Sequence, residues 1–280
     1  MTRPGNQVIA TYSALAEKYD DPGHLKSCWT AHSDRIVASL SLKSGFQTVA
    51  EVGCGTGRAL LHLAGRSDPA LRFIGVEPAE EMRRRAQAVT RGLPNVRILD
   101  GAFERLPLAQ ASVDYLFSID AFHWVSDPQL ALTEMARVLK PSGEMDHFFN
   151  GRDIGREFIQ ATTPVYVKYI GLGRLVEAAK MRHRFTKDEA RARFAEAFGP
   201  DRVQVDEVYE TYFDTIEGHA RWWVRFEPQL LAIPAERRGE CEREVRAALA
   251  TLETDQGVPY TMHQLHVRIG QRGGPIEGPP

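Results

Sequence analysis

Between Gln47 and Asn150, short β-branched runs alternate with longer amphipathic stretches. Thr48–Val52 reads as a buried strand, followed by a glycine-rich turn and a helix from about Arg58 to Ala64. Arg72–Val76 is a second strand, and apolar residues at helical spacing mark Glu80–Val89. Asn95–Leu99 and Ser112–Ser118 supply a third and a fourth strand. Gln129–Leu139 reads as a helix with Leu130, Leu132, Met135, Ala136 and Leu139 on its inner face. Lys140-Pro-Ser-Gly143 stops it, and Glu144–Asn150 is a fifth strand. Strand and helix in alternation imply parallel strands joined by right-handed crossovers, a doubly wound sheet. A ligand in such a sheet lies beyond the carboxyl ends of the strands, near the switch point.

The second half is less regular. Arg152–Arg184 has mixed helical character, interrupted by Gly171 and Gly173. Thr186–Phe198 is a helix: Thr186 caps it, Glu189 completes a capping box, and Gly199-Pro200 ends it. Arg202–Tyr212 and Tyr260–Ile269 alternate as strands do, and Gly218–Leu252 between them is helical with a break at Ile233-Pro234. The expected fold is α/β, a Rossmann-like doubly wound seven-stranded sheet with helical lid insertions. Its expected organisation is a helical cap at 1–40, a ligand-binding core at 41–150, a helical lid segment at 151–184 and a core continuation at 185–215. A helical lid insertion at 216–256, the last core strand at 257–272 and a flexible tail at 273–280 complete it.

Composition and charge remove whole classes. With 43% hydrophobic and 26% charged residues among 280, the chain is an ordinary globular one, neither disordered nor fibrous. A formal net charge of -2 gives no general attraction to nucleic acid or acidic membranes. No apolar run approaches the roughly 20 residues that span a bilayer, and the N-terminus lacks a signal peptide's apolar stretch. Cys28, Cys54 and Cys241 lie far apart without a CxxC pair, so neither a disulfide framework nor a zinc site is expected, and a reducing cytoplasm fits.

The candidate chemistry centres on Val49-Ala-Glu-Val-Gly-Cys-Gly-Thr-Gly-Arg58, where a strand leads through three glycines at alternate positions into a helix. Gly53, Gly55 and Gly57 allow the turn and let a ligand approach backbone N–H groups at a helix N-terminus. A dinucleotide fingerprint would put its third small residue on Arg58, whereas here the third glycine comes one position early. Glu51 adds a carboxylate suited to a ligand ammonium rather than to a pyrophosphate. Glu77, at the end of the second strand, can accept both hydroxyls of a ribose. Met82, one helical turn on, is placed to pack against a base.

Glu51-Val-Gly-Cys-Gly-Thr-Gly57, Gly75-Val-Glu-Pro78, Leu106-Pro107, the Ser112–Ser118 strand and Ala136-Arg-Val-Leu-Lys-Pro-Ser-Gly143 come in one order and spacing. Together they resemble class I S-adenosylmethionine-dependent methyltransferases. Ala121-Phe-His-Trp124 and Arg246-Ala-Ala-Leu249 resemble, more narrowly, the small-molecule branch related to ubiquinone-biosynthesis and trans-aconitate methyltransferases. The resemblance implies S-adenosyl-L-methionine as cofactor and S-adenosyl-L-homocysteine as product. It implies that Glu51, Cys54 and the Gly53–Gly57 loop hold the methionine end, Glu77 the ribose, and Pro78 and Met82 one side of adenine. The family's aspartate for the adenine amino group is replaced by Ala102; either the Phe103 N–H reads adenine or Asp100 compensates. Asp120 would line the methionine part. Tyr12-Ser-Ala-Leu-Ala-Glu-Lys-Tyr-Asp20 resembles the family's N-terminal tyrosine segment, with Tyr19 closing over the cofactor carboxylate or standing on a helix surface.

Methyl transfer from a sulfonium is a direct displacement, so a base is needed only if the acceptor must lose a proton. His123 is the first candidate for that base, the alternative being a histidine that only packs. His147 is a second: alternation sends it and Asp146 to opposite faces of the fifth strand. Tyr12, Trp124, Tyr166, Trp222, Trp223 and Phe226 are the candidates for an apolar acceptor pocket, the alternative being core. They point to a small hydrophobic or aromatic acceptor, as in natural-product O-, N- or C-methylation. His263 and His266, three apart in a strand, cannot both face one way, and no metal is expected. Arg83-Arg-Arg85 reads as a solvated helix face. No nucleic-acid or membrane partner is expected; a homo-oligomer is compatible with the exposed N-terminal helix. The rival readings are a non-catalytic S-adenosylmethionine-binding relative and an NAD(P)-dependent oxidoreductase.

Overall fold

The computed structural model describes residues 4–21 and 27–270. Its strands are β1 Thr48–Val52, β2 Arg72–Val76, β3 Val96–Leu99, β4 Val113–Ile119, β5 Leu139–Asn150, β6 Val203–Asp214 and β7 Val258–Ile269. Its helices are α1 Pro4–Tyr19, α2 Cys28–Ser39, α3 Arg58–Gly65, α4 Glu80–Val89, α5 Pro128–Val138, α6 Arg156–Ala179, α7 Lys187–Phe198, α8 Ile216–Leu230 and α9 Ala235–Ala250. The seven strands form one sheet in the order β3-β2-β1-β4-β5-β7-β6. Strands β1 to β5 pair in parallel, whereas β7 runs antiparallel between β5 and β6. The parallel pairing expected of the alternating segment 47–150 is what β1 to β5 show, and the two later strands add an antiparallel edge. Asp214 at the end of β6 stands opposite Val258 at the start of β7, so the chain returns through α8 and α9 without crossing the sheet.

Every residue of β1 is buried, as expected of a strand covered on both faces. One face packs Leu132, Met135, Phe194 and Phe198 of α5 and α7 against Phe149 and Val203. The other packs Ile36, Leu60, Leu63 and Ala86 of α2, α3 and α4 against Phe73, Tyr115 and Phe117. Beyond the sheet, α6 and α9 close over the outer end of β7 through Phe158, Tyr166, Val245, Leu249 and Tyr260. Helix α1 lies over α4 and α8, with Val8 and Leu15 against Phe226 and Leu230, and Ala16 against Ala79 and Met82.

Local signals account for most element ends. The Thr186 hydroxyl accepts the Glu189 N–H at 3.2 Å while the Glu189 carboxylate accepts the Thr186 N–H at 2.8 Å, a complete capping box. Pro234 precedes α9 and separates it from α8. Gly171, at φ 76° and ψ 155°, kinks α6. Strand β5 begins earlier than its sequence suggests: Leu139 already pairs with Val113, and the register then shifts so that Glu144 pairs with Tyr115. The tail at 273–280 lies outside the described residues. No described helix is long and apolar enough to cross a membrane.

Candidate active site

The order of the sheet reverses between β1 and β4, and the carboxyl ends of β1, β2 and β4 open there onto a cavity of about 850 Å³. The glycine loop forms its floor. Gly53, Gly55 and Gly57 have φ of 74°, 54° and 79°, a region that costs a residue with a Cβ roughly 1–2 kcal/mol. At Gly53 space forbids a side chain as well, because a Cβ would lie 2.4 Å from the Ala121 Cβ. The Gly53 and Cys54 N–H groups donate to the Val76 carbonyl at 2.8 and 3.2 Å. Gly55 N–H donates to Glu77 Oε2 at 2.9 Å. The loop after β1 is thus pinned to the end of β2.

Two buried carboxylates, Glu51 and Glu77, and the half-buried Asp120 surround this loop. Glu51 is 3% exposed in β1, and its Oε2 has no hydrogen-bond partner among the described residues. Burial first, then the charge of Glu77, push the Glu51 carboxyl well above the usual range. Glu77 uses its other oxygen to accept the Ala79 N–H at 2.8 Å; burial raises its pKa against the pull of those two N–H groups and Arg83. Asp120 follows β4 at φ 53°, and its Oδ1 accepts Gln264 Nε2–H at 2.8 Å. Burial raises the Asp120 pKa, with His32 and Gln264 opposing. His32 Nε2 in turn meets the Gln264 side-chain oxygen. Buried carboxylates are costly without cations or donors, so this end is complementary to a ligand carrying ammonium and sulfonium charges and free hydroxyls. S-adenosylmethionine fits that description.

Of the residues expected around the cofactor, Tyr19, Glu51, Gly53, Cys54, Gly55, Glu77, Pro78, Met82, Ala102, Phe103 and Asp120 all line the cavity. Gly57 instead turns the loop into α3, where a Cβ would press on Ala86 at 3.0 Å. Asp100 is not among the residues that line the cavity. Its side chain is 73% exposed and pairs with Arg83 at 3.0 Å, outside the cavity. Asp20, beside Tyr19, also reaches the wall, accepting the Thr56 hydroxyl at 3.3 Å.

The opposite end is apolar with a few polar groups. Tyr12, Trp124, Trp223 and Phe226 line it; the Tyr12 and Phe226 rings lie 5.2 Å apart and those of Trp124 and Phe226 5.5 Å apart. Tyr166 does not join them, being buried in the α6–α9 core. Trp222 lies in α8, but its side chain falls outside the described residues. His123 lines the cavity; its Nε2 lies 3.4 Å from the Asn150 amide nitrogen, and its Nδ1 has no partner among the described residues. Burial, then Arg182 and Arg184, hold its pKa well below the usual histidine range, so the imidazole is neutral at pH 7.

His147 does not reach the cavity. Pairing of β5 with β4 turns its ring into the core, among Phe122, Phe149, Phe194 and Phe103 with centroids 4.8, 5.4, 5.6 and 5.9 Å away. Asp146 points the other way, accepting from Tyr115 and meeting His266 Nε2 at 2.6 Å. His263 faces Glu207 at 2.9 Å, so the two histidines of β7 are indeed divided between faces. Sequence reading missed Asn150, Arg182 and Arg184 on the cavity wall and Gln264 behind Asp120. The last three stand in no glycine turn or family motif, and only tertiary pairing brings them to the site.

The "Methyltransferase domain" family model matches residues 50–145. An uncharacterised methyltransferase from Geobacillus kaustophilus is 30% identical over 159 residues, covering 55% of this chain and 70% of that protein. An uncharacterised methyltransferase from Mycobacterium tuberculosis is 36% identical over 112 residues, covering 40% of this chain. The match spans 43% of the length of that relative. The solved structure of the YcgJ protein from Bacillus subtilis shares the fold with a TM-score of 0.58 at 19% identity, covering 87% of this chain and 100% of that one.

Proposed function

We propose that this chain, which belongs to the class I S-adenosylmethionine-dependent methyltransferases, methylates a small hydrophobic or aromatic acceptor of the natural-product type. One observation carries the reading: a single cavity joins a glycine loop ringed by carboxylates, two of them buried, to an apolar wall with a neutral histidine. S-adenosylmethionine, when bound, supplies a methyl group already activated on a sulfonium. The protein's task is then to bind, orient and exclude water, and good orientation alone contributes up to about 7–11 kcal/mol.

In this reading Glu51, whose Oε2 has no partner among the described residues, and the loop at Gly53–Gly57, including Cys54, hold the methionine end. Asp120 lines the same end, and Tyr19 closes it from α1. Glu77 accepts the ribose hydroxyls with the remaining lone pairs of its two oxygens while keeping its Gly55 and Ala79 contacts. Pro78 and Met82 flank adenine, whose amino edge meets Ala102 and Phe103 in place of a carboxylate. Tyr12, Trp124, Trp223 and Phe226 take the acceptor. His123, neutral and facing it, removes an acceptor proton where the chemistry needs one.

The test is to incubate the protein with methyl-labelled S-adenosylmethionine and a library of hydrophobic and aromatic acceptors, following label transfer by mass spectrometry. A labelled product together with S-adenosylhomocysteine is expected. Tight cofactor binding with no label transferred to any acceptor would favour a binding protein built on the same fold.

A further inference from the structure

Charge is divided between the two ends of the cavity. Glu51, Glu77 and Asp120 gather at the cofactor end, whereas Arg182 and Arg184, on the segment that leaves α6, stand in the acceptor wall. The two arginines differ in what surrounds them. Arg182 pairs with the buried Glu227 carboxylate, and its guanidinium lies 4.7 Å from the centre of the Trp124 ring. Arg58, at the cavity rim, pairs with Asp34 at 2.6 Å. Arg184 is partly buried in the wall and makes no hydrogen bond or ion pair among the described residues. Burial and the neighbouring Arg182 both disfavour its charge, and Glu227, which acts the other way, is bonded to Arg182.

We propose that Arg184 anchors a carboxylate of the acceptor, so that the substrates of this cavity are apolar acids rather than neutral molecules. The proposal rests on the methyltransferase reading of the same cavity and narrows its substrate class. A guanidinium presents a planar fork that matches a carboxylate through two parallel N–H···O bonds. One uncompensated positive charge suits a monoanion; a phosphate dianion would leave negative charge buried against Glu227. The apolar body of such an acid lies against Trp124, Trp223 and Phe226. Anchoring the acid group at Arg184, at the end away from Glu51, Glu77 and Asp120, fixes the direction in which the molecule lies. Tyr260, which lines the wall within electrostatic reach of Arg184, offers a phenolic donor beside it.

The test measures binding calorimetrically, with and without saturating S-adenosylhomocysteine. The probes are 4-phenylbutyrate and decanoate, their primary amides, and the pair phenylacetate and phenyl phosphate. Each acid should bind roughly 10- to 100-fold more tightly than its amide, as hydrogen bonds to a charged partner allow. Phenylacetate should bind at least as tightly as phenyl phosphate. Arg184→Gln should erase the preference for acid over amide, Arg184→Lys should keep part of it, and both should retain wild-type affinity for S-adenosylhomocysteine. Amides that bind as well as acids, no binding by either acid, a preference that survives Arg184→Gln, or tighter binding of the phosphate would each overturn the proposal. Failure of wild type to bind S-adenosylhomocysteine would instead overturn the cofactor reading, while the acid–amide comparison without it still decides the role of Arg184.

Discussion

Gly55 and Glu77, 22 residues apart, are joined by a hydrogen bond of 2.9 Å from the Gly55 N–H to Glu77 Oε2. It locks the loop after β1 to the residue after β2, so the two parts of the candidate cofactor site are set before any ligand arrives. Preorganisation of this kind lowers the ordering cost of binding.

Glu77→Ala should therefore weaken S-adenosylhomocysteine binding roughly 10- to 100-fold, the worth of about 1.5–3 kcal/mol for hydrogen bonds to a charged acceptor. It should also lower the melting temperature, since the Gly55 and Ala79 N–H groups lose their acceptor. Isothermal calorimetry measures the first effect; unchanged affinity would remove Glu77 from the cofactor site.

His123→Ala should leave S-adenosylhomocysteine affinity intact and cut turnover by about 10²–10⁴, the usual contribution of a positioned base. The wild-type imidazole titrates below its ordinary pKa of about 6.5. Its rate profile should consequently stay flat from neutral pH down through that value and fall only at more acid pH. Steady-state kinetics against pH, once an acceptor is in hand, separates this role from a structural one; full turnover in the variant would make His123 a packing residue.

Much of the cofactor end is legible in the sequence because it follows local grammar. A buried strand, a loop that must adopt positive φ, and a carboxylate just past the next strand fix Glu51, Gly53 and Glu77 within a few residues of their elements. The acceptor end is not local. Gln264 reaches Asp120 across 144 residues of sequence, and Arg184 comes to the wall because the chain after α6 hydrogen-bonds to His123, His183 N–H donating to its carbonyl at 2.8 Å. His147 and Tyr166 show the opposite failure. Each has the right residue type in a suggestive position, yet pairing in the sheet and packing of α6 against α9 turn both into the core.

His147→Leu should make the protein less sensitive to acid. Burial, reinforced by His266, holds the His147 pKa down to about 3, against about 6.5 in an unfolded chain. Between those values the unfolded state binds the extra proton. Stability is therefore full above pH 6.5 and falls toward pH 3, by up to about 1.4 kcal/mol for each pH unit. Removing the imidazole removes that slope. It also removes two buried ring nitrogens without partners among the described residues, so stability at pH 7 should match or exceed wild type. Urea unfolding of both proteins across this range checks it; parallel pH curves would contradict the assignment.

Gln264→Leu should weaken S-adenosylhomocysteine binding by about 1–3 kcal/mol, because Asp120 would lose its buried donor. The mutation acts behind the cavity wall, so the effect should appear as affinity lost with the far-UV circular dichroism spectrum preserved. Wild-type affinity in a folded variant would show that Asp120 needs no such support.

The central claim is that the cavity at the β1–β4 switch binds S-adenosylmethionine. Thermal unfolding of the protein with S-adenosylmethionine, S-adenosylhomocysteine and NADP⁺ in parallel tests it most directly. At about 100 times its dissociation constant a specific ligand adds roughly 2.7 kcal/mol of stability. A rise in melting temperature with the two sulfur compounds and none with NADP⁺ is the predicted result; a rise with NADP⁺ alone, or with none of the three, would contradict the account.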